Sequence, residues 1–482
     1  MAENMKLKLL TESEVSALYE KCIYLLSSKG MKVTNHQEAL KLLDKGGAQV
    51  DYDNEQVKFP REVIEDALRT VPNSIAMAGQ IEENDFTLPD AKGVFCVSTA
   101  TGPPIYVEPE TQARRDVTLA DVAEWGQLSS VLDEINAVHF PSPQDAPEET
   151  TDVYALKTLF ENTTKHIITQ PYSRESIKYL FELAIAAAGS EEAFKKRPNM
   201  SILSATRPPL ILDELHTEAT LQASRYGAPI CANPLAIAGA TSPITMAGTA
   251  LQSSTEILGR LIMSQLFQPG SPVIARPIYF MLDLSTGRTL QSPVEAMLGS
   301  AATIQFIKEA FNIPTMTFGF SNDSYISDGQ AMLEIAYTGI LVALAGCDLV
   351  HAAGCLDVIM AASPVQLVTD NKIAKMLKRI ISGIKVDDDT MAWKEISDTD
   401  FGGNFLELSH TLKHCRETLC SGLSVSQPRD DWLASGGKDL YARMIDEYKE
   451  VKKICTPRKL PDDVRKEFDS IVKRADEDLR RK

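Results

Sequence analysis

The residues best placed to do chemistry close the short apolar runs that punctuate residues 94–353. They are Thr99, Thr101, His139, Phe140, Gln170, Tyr172, Thr206, Arg207, Asn233, Arg276, Tyr279, Phe280, Phe318, Phe320 and His351. The set is aromatic, amide-bearing and sparsely charged, and it offers no nucleophile–base pair. A mouth of this kind suits an organic cation held against aromatic faces, with polar groups fixing its orientation. Each aromatic also has a second reading as core packing. His351 stands out because it interrupts the apolar second half of CDLVHAA (347–353).

Other constellations have simpler explanations. GATSPITMAGT (239–249) has two glycines but lacks the lysine of a phosphate loop, so it reads as a turn into a helix. His410 and His414 lie four apart on a helix with Cys415 beside them, but no third ligand is spaced to complete a zinc set. The expectation is therefore no metal. Glu256 and Arg260 have the spacing of a plain helical ion pair. Asp323 and Asp328 sit in a polar loop, where a cation contact and a capping role both fit.

Strands and helices must alternate to bring those strand ends together. The runs VFCVST, INAVHF, HIITQP, MSILSA, PICANP, PVIARPIYF, PTMTFGF and CDLVHAA begin at 94, 135, 166, 200, 229, 272, 314 and 347. Each gap holds one helical pattern. Eight strand–helix units in about 290 residues predict an α/β fold, a (β/α)8 TIM barrel, with chemistry at the C-terminal strand ends. A doubly wound open sheet is the competitor, but it lacks a GxGxxG turn after the first strand. Thr118 with Asp121, Ser292-Pro293 with Glu295, and Ser327 with Gln330 read as helix starts. STATGPPIYVEPETQARRDVT (98–118) reads as a hairpin over the barrel mouth.

Three segments follow: 1–93, an N-terminal helical module with a β-hairpin; 94–382, the barrel; and 383–482, a C-terminal helical extension. Thr11 and Glu14 form a capping box in the first segment. Asp53-Asn54 marks its hairpin, and Pro60 opens a further helix.

The formal charge of −17 argues against nucleic acid or an anionic membrane as partner. The 8 cysteines are scattered without a CxxC pair, as expected of reduced core thiols in a cytoplasmic protein. The first residues lead into a polar helix rather than a signal peptide, and no apolar run is long enough to span a bilayer.

Several segments carry a resemblance to a known family. They are LTESEVSALYEKCIYLLSSKGMKV, TGPPIYVEPETQARRDVTLAD, GATSPITMAGTALQSSTEILGRLIMSQLFQPGSPV, residues 313–363 and FGGNFLELSHTLKHCRE. The chain resembles the trimethylamine methyltransferase (MttB) superfamily over nearly its whole length. The resemblance implies a TIM barrel that moves a methyl group from an amine to the cobalt of a separate corrinoid protein. In the founding enzymes the loop after the seventh strand holds pyrrolysine. Here that neighbourhood is Gly319-Phe320-Ser321-Asn322-Asp323, all ordinary residues. The resembling subgroup without pyrrolysine demethylates quaternary amines such as glycine betaine, proline betaine, carnitine or γ-butyrobetaine.

Physical chemistry agrees with that subgroup. A quaternary nitrogen has no lone pair for an electrophilic residue to capture, and it leaves as a neutral amine. The barrel's task is then to aim one methyl group out of the mouth. On this resemblance His351 is the expected catalytic residue, as a hydrogen-bonding orienter joined by Gln170. Phe140, Tyr279, Phe280, Phe318 and Phe320 are the aromatic candidates. Phe318 and Phe320 share a strand face, whereas Tyr279 and Phe280 cannot both point inward. Arg207 or Arg276 would meet a substrate carboxylate, and Asp323 completes the expected substrate-binding set. His351 must be neutral if it lies near the ammonium. No cofactor is expected to be bound permanently. The expected partners are a corrinoid (cobalamin) protein, a small quaternary ammonium substrate and a second copy of the chain. A betaine-binding or assembly protein without catalysis, and a barrel enzyme using another methyl donor, are the alternatives.

Overall fold

The computed structural model describes residues 6–417 and 422–480. Eight parallel strands make the central sheet: β1 (Cys96–Thr99), β2 (Ile135–Val138), β3 (His166–Thr169), β4 (Met200–Thr206), β5 (Ile230–Pro234), β6 (Val273–Ala275), β7 (Met316–Phe318) and β8 (Leu349–Ala353). Their hydrogen-bonded order is β6-β5-β4-β3-β2-β1-β8-β7. A parallel bridge between Ala275 and Thr315 joins the two ends, with the Ala275 N–H donating to the Pro314 carbonyl at 2.9 Å. The sheet thus closes into a (β/α)8 barrel, and no edge is left open to solvent.

One main helix follows each strand: α1 (Leu119–Val131), α2 (Thr151–Asn162), α3 (Ile177–Ala188), α4 (Glu214–Tyr226), α5 (Met246–Phe267), α6 (Val294–Ala310), α7 (Gly329–Leu344) and α8 (Pro364–Ile381). Thr118 and Asp121 form the expected capping box on α1. Two expected caps are corrected. Asp328, not Ser327, accepts from the Ala331 N–H at the start of α7, while the Ser327 hydroxyl donates to Gln366 Oε1 at 2.5 Å. Ser292 does not cap α6; Pro293 stands at that position and supplies no side-chain bond.

Four strands, β2, β3, β6 and β7, end earlier than the apolar runs suggest, and for β6 and β7 the local reason is plain. In β6 the ladder stops before Pro277, whose carbonyl instead accepts from the Thr317 hydroxyl at 2.6 Å. In β7 the N–H groups of Gly319 and Phe320 both donate to the His351 carbonyl, each at 3.1 Å. Two residues then face one, which is a bulge.

Every strand sends one apolar side chain into the lower barrel: Cys96, Ala137, Ile168, Leu203, Cys231, Ile274, Met316 and Leu349. Ile75, Met77 and Leu88 plug this layer from below. They come from a two-stranded sheet just before the barrel, Ile75–Met77 with Phe86–Leu88.

The N-terminal segment lies against α5 and α6. Its first helix, Glu12–Ser28, starts at the Thr11/Glu14 capping box and buries Cys22, Ile23 and Leu26 against Ile257, Leu258 and Leu261. The predicted hairpin pairs Gln49–Asp51 with Gln56–Lys58. Over the mouth, Ile105–Val107 pairs with Arg114–Asp116 as expected.

The C-terminal segment has two characters. Its last helices, α13 (Leu440–Ile454) and α14 (Asp462–Leu479), pack on the barrel helices. Phe468 meets Phe160 with ring centroids 5.8 Å apart, and Asp476 accepts from the hydroxyls of Thr150 and Tyr154, both at 2.8 Å. Before them come four short helices, α9 (Asp388–Met391), α10 (Trp393–Asp398), α11 (Ser409–His414) and α12 (Arg429–Ala434), none of which buries a side chain. This arm instead exposes Ile384, Trp393, Ile396, Phe401, Leu406 and Leu412.

Among the described residues all cysteines are free, and Cys22, Cys96, Cys231, Cys347 and Cys355 are buried; Cys420 lies outside them. No described helix is long and apolar enough to cross a membrane.

Candidate active site

The pleat turns every second side chain to the same face. Two residues beyond the apolar layer, the barrel therefore points Ser98, His139, Gln170, Ala205, Asn233, Arg276, Phe318 and His351 inward. A cavity of about 310 Å³ rests on this layer. Its floor and walls include Gln170, Ala205, Asn233, Arg276 and Phe318. Thr101, Gly102, Tyr172, Ile278 and Phe280 line it from the strand ends and loops, and His216 enters from the first turn of α4.

One charge dominates. Arg276 is 2% exposed, and its Nε and Nη2 have no hydrogen-bond partner. Burial lowers it to about 10, so it stays cationic at neutral pH. Among the described residues no carboxylate lines the cavity. The guanidinium lies 5.2 Å from the centre of the Phe318 ring, and Phe318 in turn lies 5.9 Å from Phe280. Asn233 Oδ1 and His216 Nδ1 are also buried without partners. Burial and the Arg260 guanidinium hold His216 down at about 4, so it is neutral. Buried polar atoms without partners are rare in folded proteins. Three such groups, Arg276, Asn233 and His216, line this one cavity.

His351 lies below the cavity and does not line it. Its Nδ1 meets the Ser98 hydroxyl at 2.9 Å and its Nε2 meets the Thr101 hydroxyl at 3.0 Å. Thr101 also meets His139 Nδ1 at 3.1 Å. One hydroxyl, lining the cavity, thus joins two imidazoles whose ring centres are 4.8 Å apart. A hydroxyl carries one proton, so Thr101 donates to at most one of the two rings. Burial first, and then the Arg276 charge, push both histidines well below their ordinary value. Both rings are therefore neutral.

The other expected residues divide by position. Gln170, Arg276, Phe280 and Phe318 line the cavity. Phe140 stands behind it, edge-on to Tyr172 with centroids 6.2 Å apart. Tyr279 faces the other way, packed on α6 against Gly299, where an added Cβ would strike its ring. Phe320 joins the helix-side core; the bulge at Gly319 breaks the alternation that would have kept it beside Phe318. Arg207 is exposed at the end of β4 and does not line the cavity. Asp323 accepts from the N–H groups of Gln291 and Ser292 at 3.0 and 2.9 Å. Its carboxylate fixes the approach to α6 rather than the cavity. Glu256 and Arg260 do not pair. Glu256 accepts from the Leu210 N–H at 3.0 Å, and Arg260 reaches Thr206 Oγ1 at 2.6 Å.

A strained turn roofs the cavity. Asp357, Val358 and Ile359 have φ of 57°, 54° and 66°, a conformation costing an L-residue roughly 1–2 kcal/mol each. The surroundings hold it: Asp357 pairs with Arg114 at 2.6 Å and with Arg288 at 3.0 Å. Both guanidinium groups lie over the Tyr325 ring, at 5.7 and 4.6 Å. The turn places Ile359 and Met360 on the cavity wall. Sequence patterns gave no sign of it, because Val and Ile favour other conformations.

The profile of the family described as Trimethylamine methyltransferase (MTTB) matches residues 2–479. The chain belongs to the trimethylamine methyltransferase family. Its similarity to the trimethylamine methyltransferase MttB of Desulfitobacterium hafniense is 31% identity over 97% of this chain and 94% of that protein. A trimethylamine methyltransferase of Methanosarcina acetivorans is 28% identical over 99% and 97%. The glycine betaine methyltransferase of D. hafniense is 27% identical over 89% and 88%. As a member of this family the protein is a methyltransferase. In this family member the cavity at the C-terminal strand ends is where a barrel enzyme places its chemistry.

Proposed function

We propose that the protein takes a methyl group from a quaternary amine bearing a carboxylate, a betaine, and delivers it to Co(I) of a separate corrinoid protein. The observation that carries this is Arg276, a buried and unmatched cation in a cavity without acids. A simple ammonium ion would face that charge with nothing to offset it. A betaine supplies a carboxylate for the guanidinium and sets its trimethylammonium against the Phe280, Phe318 and Tyr172 rings. Neutral His139 and His351 add no repulsion.

The step then needs no acid or base. The carbon–nitrogen bond breaks with its electron pair going to nitrogen, and the product leaves as a neutral tertiary amine. Attack on the methyl carbon comes from outside the mouth. The chain's own work is to desolvate the ammonium and aim one methyl outward, a near-attack arrangement. Apolar side chains around the mouth, Leu235, Ile244, Met246, Leu284, Tyr325 and Met360, are exposed, which favours a protein partner seated there. The apolar side chains that the arm exposes between Ile384 and Leu412 favour a homo-oligomer on the same ground. Cysteines buried singly, without disulfide partners among the described residues, fit a cytoplasmic enzyme.

The test is a methylation screen with cob(I)alamin or a Co(I)-reduced corrinoid protein. Glycine betaine, proline betaine, carnitine and γ-butyrobetaine are compared with choline and trimethylamine. Loss of the Co(I) absorbance with a carboxylated compound, and not with choline, is expected. Response to choline or trimethylamine alone would overturn the proposal.

A further inference from the structure

The arm before α13 presents a physical problem. Its four helices have 4, 6, 6 and 6 residues and bury nothing. Helices this short are unstable by themselves, and a small module without a core needs a cross-link. The sequence offered two candidate ligands on α11, His410 and His414, and no third. The fold brings the third from α9: one ligand atom each of Asp389, His410 and His414 lies within 4.8 Å of the others.

We propose that these three residues bind a divalent transition ion of the zinc class, which staples α9 to α11. The donor set, two imidazoles and one carboxylate, is one that Zn²⁺ accepts with a fourth position left for water. The hydrogen bonds around it point the same way. His414 Nδ1 lies 2.6 Å from Glu417 Oε1. A carboxylate only accepts, so Nδ1 carries a proton, and Nε2 is the nitrogen that could offer a lone pair to a metal. That Nε2 is buried, has no hydrogen-bond partner, and lies 3.5 Å from Asp389 Oδ2. A metal ion, or a second proton on the ring, would reconcile that nitrogen with the carboxylate oxygen. Glu417 then has the role of the carboxylate that orients a metal-bound imidazole. His410 Nε2 donates to the Asp389 carbonyl at 2.9 Å, which leaves Nδ1 as its ligand atom. Lys413 competes, its ammonium lying 2.5 and 2.6 Å from the two Asp389 oxygens. It is more than half exposed and is free to swing away when the ion enters.

The experiment titrates the full chain with Zn²⁺, and with Co²⁺ as a spectroscopic probe. We expect one ion per chain and the absorption of a low-coordinate Co²⁺ site. His410→Ala with His414→Ala should abolish uptake, and Glu417→Gln should weaken it by about 10- to 100-fold. Lys413→Met should tighten binding, and Cys415→Ser should leave it unchanged. Limited proteolysis between residues 384 and 434 should slow with Zn²⁺ in the native chain and not in the double histidine variant. That variant should keep its circular dichroism, since the barrel does not depend on the arm. No stoichiometric uptake would overturn the proposal and leave His414 as an imidazolium shared by Asp389 and Glu417. Uptake that survives the double histidine change, or that depends on Cys415, would overturn it equally.

Discussion

The Arg276 guanidinium lies 5.2 Å from the centre of the Phe318 ring, and two of its nitrogens, though buried, bond to nothing. A cation fixed beside an aromatic face, one strand away from a second aromatic, matches a zwitterion end to end. The same pair explains why the site is costly to keep. A buried charge without a partner opposes folding, and a ligand carboxylate would relieve it.

Removing that charge should therefore separate stability from binding. In Arg276→Met, affinity for the betaine substrate should fall by about 10- to 100-fold, the worth of a hydrogen bond to a charged group. The melting temperature of the ligand-free protein should rise by at least about 2 °C. Calorimetry and a melting curve on one preparation check both. A lower melting temperature with unchanged affinity would deny Arg276 its role.

Thr101 should matter more for turnover than for binding. Thr101→Val leaves two buried imidazole nitrogens unmatched, while Thr101→Ser keeps the hydroxyl. We expect a roughly tenfold lower kcat in the valine variant, of the size of one lost buried hydrogen bond, with KM little changed and recovery by serine. His351→Ala should act in the same direction. A drop of less than about threefold in His351→Ala would place the imidazole outside the working site.

Asp323 should behave as a structural residue. Asp323→Ala strips the buried N–H groups of Gln291 and Ser292 of their acceptor, at about 1–3 kcal/mol each. The urea midpoint should fall while KM of the purified folded enzyme holds. A raised KM with an unchanged midpoint would return Asp323 to the substrate.

The pH dependence of stability should carry the mark of Asp370. This carboxyl is fully buried, accepts from the Gly354 N–H at 2.7 Å, and is pushed up by burial to about 8. Because the folded value is raised, its contribution is complete below the ordinary value of 3.8 and is lost as pH rises through about 8. Asp370→Asn removes this dependence. Urea midpoints at pH 5, 6, 7 and 8 should show the variant gaining on the native chain as pH rises, by up to about 1.4 kcal/mol per pH unit. A constant difference would mean that Asp370 is charged in the fold.

Much of the barrel was legible because strand spacing and strand-end chemistry are local patterns. Gln170, Arg276, Phe280 and Phe318 were found as polar or aromatic residues ending apolar runs, and they do line the cavity. Parity was the weak point. The bulge at Gly319 shifts the chain by one residue and sends Phe320 to the helix side. Asp323 resembled a binding residue because a loop carboxylate that serves backbone N–H groups looks the same in sequence. His216 was invisible because it enters from a helix rather than a strand end. Ile359 and Met360 were hidden for another reason: nothing in their types announces a left-handed turn. The meeting of Asp389 with His410 and His414 depends on how a coreless arm folds back, which no periodicity records.

The plug of Ile75, Met77 and Leu88 beneath the barrel bears on kinetic order. With its base sealed, the chamber opens on the side of the strand ends among the described residues, so a small molecule enters and departs at that end. Any macromolecule resting on that opening halts the traffic. If the proposed corrinoid protein docks there, the order becomes compulsory: ligand first, large partner second, large partner away before the spent ligand can go. Excess partner should slow turnover by occupying the empty chamber's entrance.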